Sequence, residues 1–283
     1  MDWLSAVAQC RSSNTSCVVV MITSVAGSAP RTVGTRMVVT LDSVSGTIGG
    51  GALELEGIGH ARALIECSSA NGGDHALVSA RQFNLGTALS QCCGGVVSLQ
   101  FDCHYANNFV LHVFGAGHVG QEVARLALRL PCIAVIHDAR EEWLEKVNAI
   151  VASEHDQIGT VQVQHLDSNV HAHVEALAPS AYFLVMTHSH EMDMEIVEAV
   201  LSRNDSIFCG LIASGSKAAK FRNRLKRKGF SDEEINQLSA PLGERISTGN
   251  TPMEVAIAGV SDVLTARERV KTAASGLHGL TLE

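Results

Sequence analysis

The sequence predicts an α/β chain in two parts, an N-terminal α+β domain over residues 1–105 and a parallel-sheet domain over residues 109–283. Three observations predict it. First, Phe109-Val-Leu-His-Val-Phe114 is an apolar run that stops at Gly115-Ala-Gly-His-Val-Gly120, a G-x-G-x-x-G placed where a strand meets a helix. Second, short apolar runs and helical patterns alternate from there to the C-terminus, which is the rhythm of βαβ units. Third, the residues before Cys103 read as several strands around one principal helix.

Taken in order, Asp2–Gln9 predicts a short helix, and Arg11–Ser16 a polar loop. Cys17–Val25 is β-branched and apolar, hence a core strand, followed by a turn at Ala26–Arg31 and a second strand at Thr35–Leu41. Gly49-Gly-Gly51 leads into a helix from about Leu53 to Cys67, with Glu54, Glu56 and Arg62 on its wet side. Asn71–Asp74 is a loop, Leu77–Phe83 a strand, and Gly94–Asp102 alternates cleanly as another. Cys103–Asn108 is the join between the two parts.

In the second part, Phe109–Phe114 reads as a buried parallel strand. Gln121–Leu130 carries Val123, Ala124, Ala127 and Leu128 at helical spacing and is closed by Pro131. The strand Cys132–His137 ends in Asp138, 23 residues past the first glycine, close to the spacing at which an acid bonds a ribose hydroxyl. Strand, glycine turn, helix, strand and acid in that order predict a Rossmann-like domain whose Gly115, Gly117 and Gly120 let a phosphate approach the helix N-terminus. The rhythm continues as a helix at Glu141–Val147, a strand at Val161–Leu166, a helix at Val170–Leu177 and a buried strand at Tyr182–Thr187. Helices follow at Met192–Leu201, Ser216–Lys228, Asp232–Leu238 and Pro252–Leu264, with a strand at Ile207–Ile212 and a loose tail from Lys271. There is no internal repeat and no low-complexity segment.

Composition bounds the function. Hydrophobic residues make up 46% and charged residues 18% of 283, an ordinary globular balance. A net charge of −8 argues against a general nucleic-acid binder, which needs clustered cations. No apolar run approaches the roughly 18 residues that span a bilayer, so no membrane is expected. Residues 1–10 read as the start of a helix and not as a signal peptide. Eight scattered cysteines without disulfide-framework spacing predict a reduced, cytoplasmic protein.

Three further stretches are candidates for chemistry. Gly49-Gly-Gly51 with Glu54 is suited to cradle an anion, although three glycines also make a plain sharp turn. Gln91-Cys-Cys-Gly-Gly95 puts Cys92 and Cys93 on a tight turn, where thiolates meet a soft metal or sulfur, or else start a strand as small buried residues. With no C-x-x-C partner, a structural zinc site is not expected there. Thr187-His-Ser-His-Glu-Met-Asp193 lies at the carboxyl edge of a parallel strand, and His188, His190 and Asp193 there suit metal binding, proton relay or capping of the next helix. The helix Lys217–Lys228 holds seven cations and no acid, which reads first as a solvated face.

Gly27-Ser-Ala-Pro-Arg31, Thr47-Ile-Gly-Gly-Gly-Ala-Leu-Glu54, Gln91-Cys-Cys-Gly-Gly95, Phe114-Gly-Ala-Gly-His-Val-Gly120, Asp138-Ala-Arg140, Thr187–Asp193, Gly210-Leu-Ile-Ala-Ser214 with Lys217, and Pro241-Leu-Gly243 follow one another in a single order. The set resembles the xanthine dehydrogenase accessory factor (XdhC/CoxI) family from about Ala26 to Leu264. It departs from the family pattern at Ala213 and Gly215, where a glycine and an arginine are expected. The resemblance implies a cytoplasmic chaperone of the molybdenum cofactor (molybdopterin), which holds it during sulfuration and delivers it to a xanthine dehydrogenase-type molybdoenzyme. It implies as partners that enzyme and a sulfurating cysteine desulfurase, leaves room for a homodimer, and makes an enzyme the less favoured reading. On it, Gly49, Gly50, Gly51, Glu54, Cys92, Cys93, Gly115, Gly117, His118, Gly120, Asp138, His188 and His190 are the expected cofactor-binding residues, with the thiols and histidines toward one end of a single cleft and the Gly117–Gly120 helix start toward the other. The rival is an NAD(P)-dependent oxidoreductase, favoured by the fingerprint with Asp138.

Overall fold

The computed structural model describes residues 2–29, 31–70, 78–85, 95–243 and 251–276. Its contacts divide the chain into two units, residues 1–107 and 108–283.

In the first unit the strands β1 (Cys17–Ala26), β2 (Arg36–Val39), β3 (Val44–Gly46), β4 (Val78–Asn84) and β5 (Val96–His104) form one antiparallel sheet in the order β3-β2-β1-β5-β4. β1 and β5 carry the sheet: they pair from Cys17 opposite His104 to Ala26 opposite Val96, with a bulge between Ile22 and Ser24. The alternation in Val96–His104 is physical, since Val97, Leu99, Phe101 and Cys103 all point inward. Helix α2 (Gly51–Ala70) lays Leu53, Ala61 and Ile65 on that face beside Val18, Val20, Ile22, Leu99 and Phe101. Helix α1 (Trp3–Ser12) covers the other face through Ala6, against Cys17, Val19 and Val38. The α+β reading of this half stands, with β3 as the strand the sequence did not signal.

The second unit is a six-stranded parallel sheet. Its strands are β6 (Val110–Phe114), β7 (Ile133–Asp138), β8 (Thr160–His165), β9 (Tyr182–Val185), β10 (Phe208–Leu211) and β11 (Leu238–Ser239). Their spatial order is β11-β10-β9-β6-β7-β8, so the chain starts in the middle, winds outward through β7 and β8, then returns to β9 and winds the other way. That is the doubly wound order of a Rossmann fold, and its switch point lies between β6 and β9. Helices α3 (His118–Ala127), α4 (Glu141–Ser153) and α9 (Pro252–Gly276) cover one face, through Val123, Leu144, Val147 and Val260. Helices α5 (Val170–Glu175), α6 (His190–Arg203), α7 (Gly215–Arg227) and α8 (Asp232–Asn236) cover the other, through Val174, Val197, Phe221 and Ile235. Because both faces are covered, β9 is buried at every residue, which is why it reads as a plain apolar run.

Two expectations need correction. The helix expected over Asp232–Leu238 stops at Asn236, and Leu238 instead begins β11, pairing with Cys209 of β10. The last helix runs on to Gly276, past both the expected end at Leu264 and the start of the expected loose tail at Lys271. Its continuation is polar in sequence, yet Arg267 lies over the Phe109 ring at 4.4 Å, so a charged side chain covers apolar surface. Among the described residues no helix is long and apolar enough to cross a membrane.

Candidate functional site

The switch point is built by the glycine turn after β6. Gly115 has φ +121°, and a Cβ there would stand 2.4 Å from the carbonyl oxygen of Met186, at the end of β9. A Cβ on Gly120 would stand 2.0 Å from the Gly115 carbonyl oxygen. Both positions are glycine because backbone occupies the space a side chain would need. Gly117 differs: among the described residues nothing lies within 4 Å of where its Cβ would be, so its face of the turn is open to them.

Gly117 is also the N-cap of α3, and no side chain caps that helix. Of the other helices at the parallel sheet's carboxyl edge, α6 and α7 are closed by their own serines, Ser189 accepting from the Met192 N–H and Ser214 from the Lys217 N–H, and α5 by Asn169, while α4, like α3, has no side-chain cap. The first turn of α3 thus leaves backbone donors and the positive end of the helix dipole facing the crevice, as an anion site requires. His118, the first residue of α3, is exposed, and its ring meets Trp143 edge-on with centroids 5.3 Å apart.

Asp138, at the end of β7, is only 3% exposed. Its Oδ2 accepts from the Ala116 N–H at 2.8 Å and from Arg140 Nη2 at 2.8 Å; its Oδ1 accepts from the Arg140 N–H at 3.0 Å and from Arg140 Nε at 2.9 Å. Although burial opposes its charge, the Arg140 and Ala116 donors hold its carboxyl below the ordinary carboxylate range. The ribose-bonding role expected of Asp138 therefore finds all four acceptor positions taken within the chain.

Beyond the end of β9, in the first turn of α6, Asp193 is fully buried. Its Oδ1 accepts from the Thr187 N–H at 2.9 Å and Thr187 Oγ1 at 2.7 Å, and its Oδ2 pairs with Lys217 Nζ at 2.7 Å. Lys217 also donates to the Ile212 carbonyl at 3.2 Å. This pair ties the starts of α6 and α7 to the strand ends. It holds the turn from which His188 and His190 project, both exposed. Among the described residues no group of three or more His, Cys, Asp or Glu gathers as a metal site.

In the first unit, Gly49, Gly50 and Gly51 have φ of +123°, +76° and +66°, three successive left-handed residues that favour glycine. The anion they cradle is Glu54 of the same chain. Its Oε2 accepts from the Ile48 N–H at 3.0 Å, the Gly50 N–H at 3.0 Å and the Thr47 hydroxyl. These bonds outweigh burial and lower its carboxyl pKa. Cys92 and Cys93 lie outside the described residues.

One cluster escaped the sequence reading. His112 Nδ1 and His137 Nε2 are 3.0 Å apart, and His137 Nδ1 and His173 Nε2 are 3.0 Å apart, a chain of three imidazoles buried between β6, β7 and α5. It ends toward Asp167, 3.8 Å from His173 Nδ1. At the other end His112 Nε2 is buried with no hydrogen-bond partner among the described residues. Burial holds His112 down to about 4 and His137 well below the ordinary value, with neighbouring charge adding to both. The available signal was a polar residue inside each of two apolar strands, Val-Leu-His112-Val-Phe and Ile-Ala-Val-Ile-His137. His137 also touches the glycine turn, since its carbonyl accepts the Gly115 N–H at 2.7 Å.

The family model described as the XdhC Rossmann domain matches residues 111–263, and that of the XdhC and CoxI family matches residues 10–79. A curated relative, Uncharacterized protein YqeB of Escherichia coli (strain K12), is 27% identical over 241 residues, covering 84% of this chain and 41% of that protein. The chain thus spans about two fifths of that relative's length. Among solved structures, a xanthine dehydrogenase from Bacillus halodurans aligns over 95% of this chain and 96% of its own, with 17% identity and a TM-score of 0.46. The E. coli tRNA N6-threonylcarbamoyladenosine dehydratase TcdA aligns over 59% of this chain and 87% of its own, with 15% identity and a TM-score of 0.41.

Proposed function

The chain belongs to the XdhC and CoxI family, and from that premise we propose that it is an accessory factor that binds the molybdenum cofactor, protects it during sulfuration and delivers it to a xanthine dehydrogenase-type hydroxylase. The observation that carries the binding step is the open, uncapped start of α3 at the switch point, where Gly117 leaves room and backbone N–H groups face out. Molybdopterin ends in a phosphate, and that is the group this turn suits. The bound group supplies the redox-active metal; the chain's own part is to hold the phosphate and shield the rest. His118, His188 and His190 are exposed donors at the same edge of the sheet, available to polar atoms of the pterin or to oxo groups. Cys92 and Cys93 are the proposed thiols for the metal or a sulfur intermediate. A cysteine desulfurase and the target hydroxylase are the proposed partners, in the cytoplasm.

The experiment is metal and pterin analysis of protein purified from cells that make molybdopterin. Molybdenum and the fluorescent pterin oxidation product should co-purify in equal amounts and be lost together in Gly117→Val, with melting temperature unchanged. Calorimetric titration of the chain with NAD and NADP addresses the rival reading, which the strand order favours. Tight NAD(P) binding with turnover of a substrate, and no pterin, would overturn the accessory role.

A further inference from the structure

We infer that the corner after β7 reads its ligand with donors and not acceptors, so that the site selects a ligand bearing a phosphate there over one bearing a free ribose diol. The inference rests on the reading that the start of α3 holds a phosphate, and it makes Arg140 the specificity-determining residue beside it.

In a dinucleotide-binding fold, the acid at this position bonds the ribose hydroxyls through free carboxylate oxygens, whereas a nearby arginine accommodates a 2′-phosphate. A carboxylate offers about four lone-pair positions. On Asp138 all four are filled, two by the Ala116 and Arg140 N–H groups and two by the Arg140 guanidinium. At 3% exposure the acid has no free edge for a hydroxyl. To take a diol it would have to give up either the guanidinium fork or the Ala116 bond that fixes the phosphate turn.

Arg140 stands the other way round. The fork uses Nε and one N–H of Nη2, leaving Nη1 and the second Nη2 hydrogen, and the side chain is 28% exposed. Asp138 and, more weakly, Glu142 hold it firmly protonated. Its guanidinium carbon lies 5.0 Å from the centroid of Trp143, Lys146 Nζ lies 3.9 Å from the same ring, and His118 meets that ring edge-on. Trp143 thus gathers three donor side chains beside the first turn of α3. The acids Glu141 and Glu142 flank them in the first turn of α4 and set the limit on how much net positive charge the corner carries. Selection therefore depends on the geometry of the fork, and less on bulk charge.

The test is calorimetric titration of the full chain with 5′-AMP and 2′,5′-ADP, which differ only in the 2′-phosphate. The expected result is tighter binding of 2′,5′-ADP on the order of tenfold or more, the scale of a charge-assisted contact. Arg140→Lys, which keeps a cation beside Asp138 but loses the fork, should bring the two affinities together while 5′-AMP binding is retained. If that variant fails to fold, the wild-type ratio still decides. Equal affinities, or a preference for 5′-AMP, would overturn the inference and leave the phosphate reading standing. Failure of both ligands to bind, with Gly117→Val indistinguishable from wild type, would overturn that reading and this inference with it.

Discussion

Mild acid should destabilise the second unit through its buried histidines, before its carboxylates are protonated. His112, His137 and His173 are 4%, 0% and 7% exposed and are joined by two imidazole–imidazole hydrogen bonds. The folded-state pKa of His112 is depressed to about 4, so between there and the ordinary value of 6.5 the unfolded chain binds a proton that the folded chain refuses. Stability is therefore intact above pH 6.5 and declines as the pH falls toward 4. The loss from His112 alone comes to roughly 3 kcal/mol at 1.36 kcal/mol per pH unit. His137 is shifted in the same direction and steepens the fall. A domain of ordinary stability has about 5–15 kcal/mol in hand, so the urea midpoint should drop by roughly 1–2 M between pH 7.5 and 5. The chain has two tryptophans, Trp3 in the first unit and Trp143 in the second, and a Trp3→Phe background makes fluorescence report on the second unit alone. That separation matters because His60, in the first unit, is also shifted down by burial. His112→Phe keeps an aromatic ring against Phe183, which His112 stacks on at 5.3 Å, but leaves His137 Nε2 unpaired. It should lose about 1–3 kcal/mol at pH 7.5 and then decline less steeply, so that the two stability curves approach each other near pH 5. Parallel curves, or a flat wild-type curve between pH 6.5 and 5, would refute the reasoning.

Four other outcomes follow from particular contacts. Gly120→Ala should abolish soluble folding or cost several kcal/mol, since its Cβ would stand 2.0 Å from a carbonyl oxygen, whereas Gly117→Ala should melt like wild type. Asp193→Ala should cost about 3–5 kcal/mol in urea unfolding, because it strands the largely buried Lys217 ammonium. Glu54→Gln should lower stability by about 1–3 kcal/mol at neutral pH by weakening the cradle at Ile48 and Gly50. Because the folded-state pKa of Glu54 is depressed, the difference should be full above roughly pH 4.3 and fade as the pH falls below it, as read from paired melting curves. Under native conditions a thiol reagent should leave Cys132 and Cys209 untouched, their pKa values pushed up to about 12 by burial, and should modify exposed Cys67, as peptide mapping would show.

The fold was legible wherever burial imposed a period. The strands of the parallel sheet are covered on both faces, so Val110–Phe114 and Tyr182–Val185 appear in the sequence as unbroken apolar runs. Val96–His104 is buried on alternate residues and appears as alternation. The misses are the elements too short to show any period. Val44–Gly46 is a three-residue strand, and Leu238–Ser239 is a two-residue one placed straight after a helix, where Leu238 completes a helical apolar stripe just as well as it fills a strand. Only the neighbouring Cys209, far away in the chain, decides between them.

The site was legible in its backbone and not in its charges, for one physical reason. A sharp glycine turn announces itself locally, because the residues that need space or a left-handed backbone are the turn itself. An acid beside such a turn does not announce where its oxygens go. Three acids flank the glycine turns and the strand ends, and each is turned back onto its own loop: Glu54 onto Ile48 and Gly50, Asp138 onto Ala116 and Arg140, Asp193 onto Thr187 and Lys217. Backbone N–H groups crowded into a tight turn are costly to leave without acceptors, and a nearby carboxylate supplies them at short range. The acids therefore shape the turns. Facing outward at the switch point are Gly117 with the bare N-terminus of α3, the exposed rings of His118, His188 and His190, and the free edge of Arg140, with the exposed acids Glu141, Glu142 and Glu191 at their margin. Apart from those marginal acids, every one of these is a donor or an opening. A surface of that kind selects for an anionic, acceptor-rich ligand, and it does so whichever molecule supplies the phosphate.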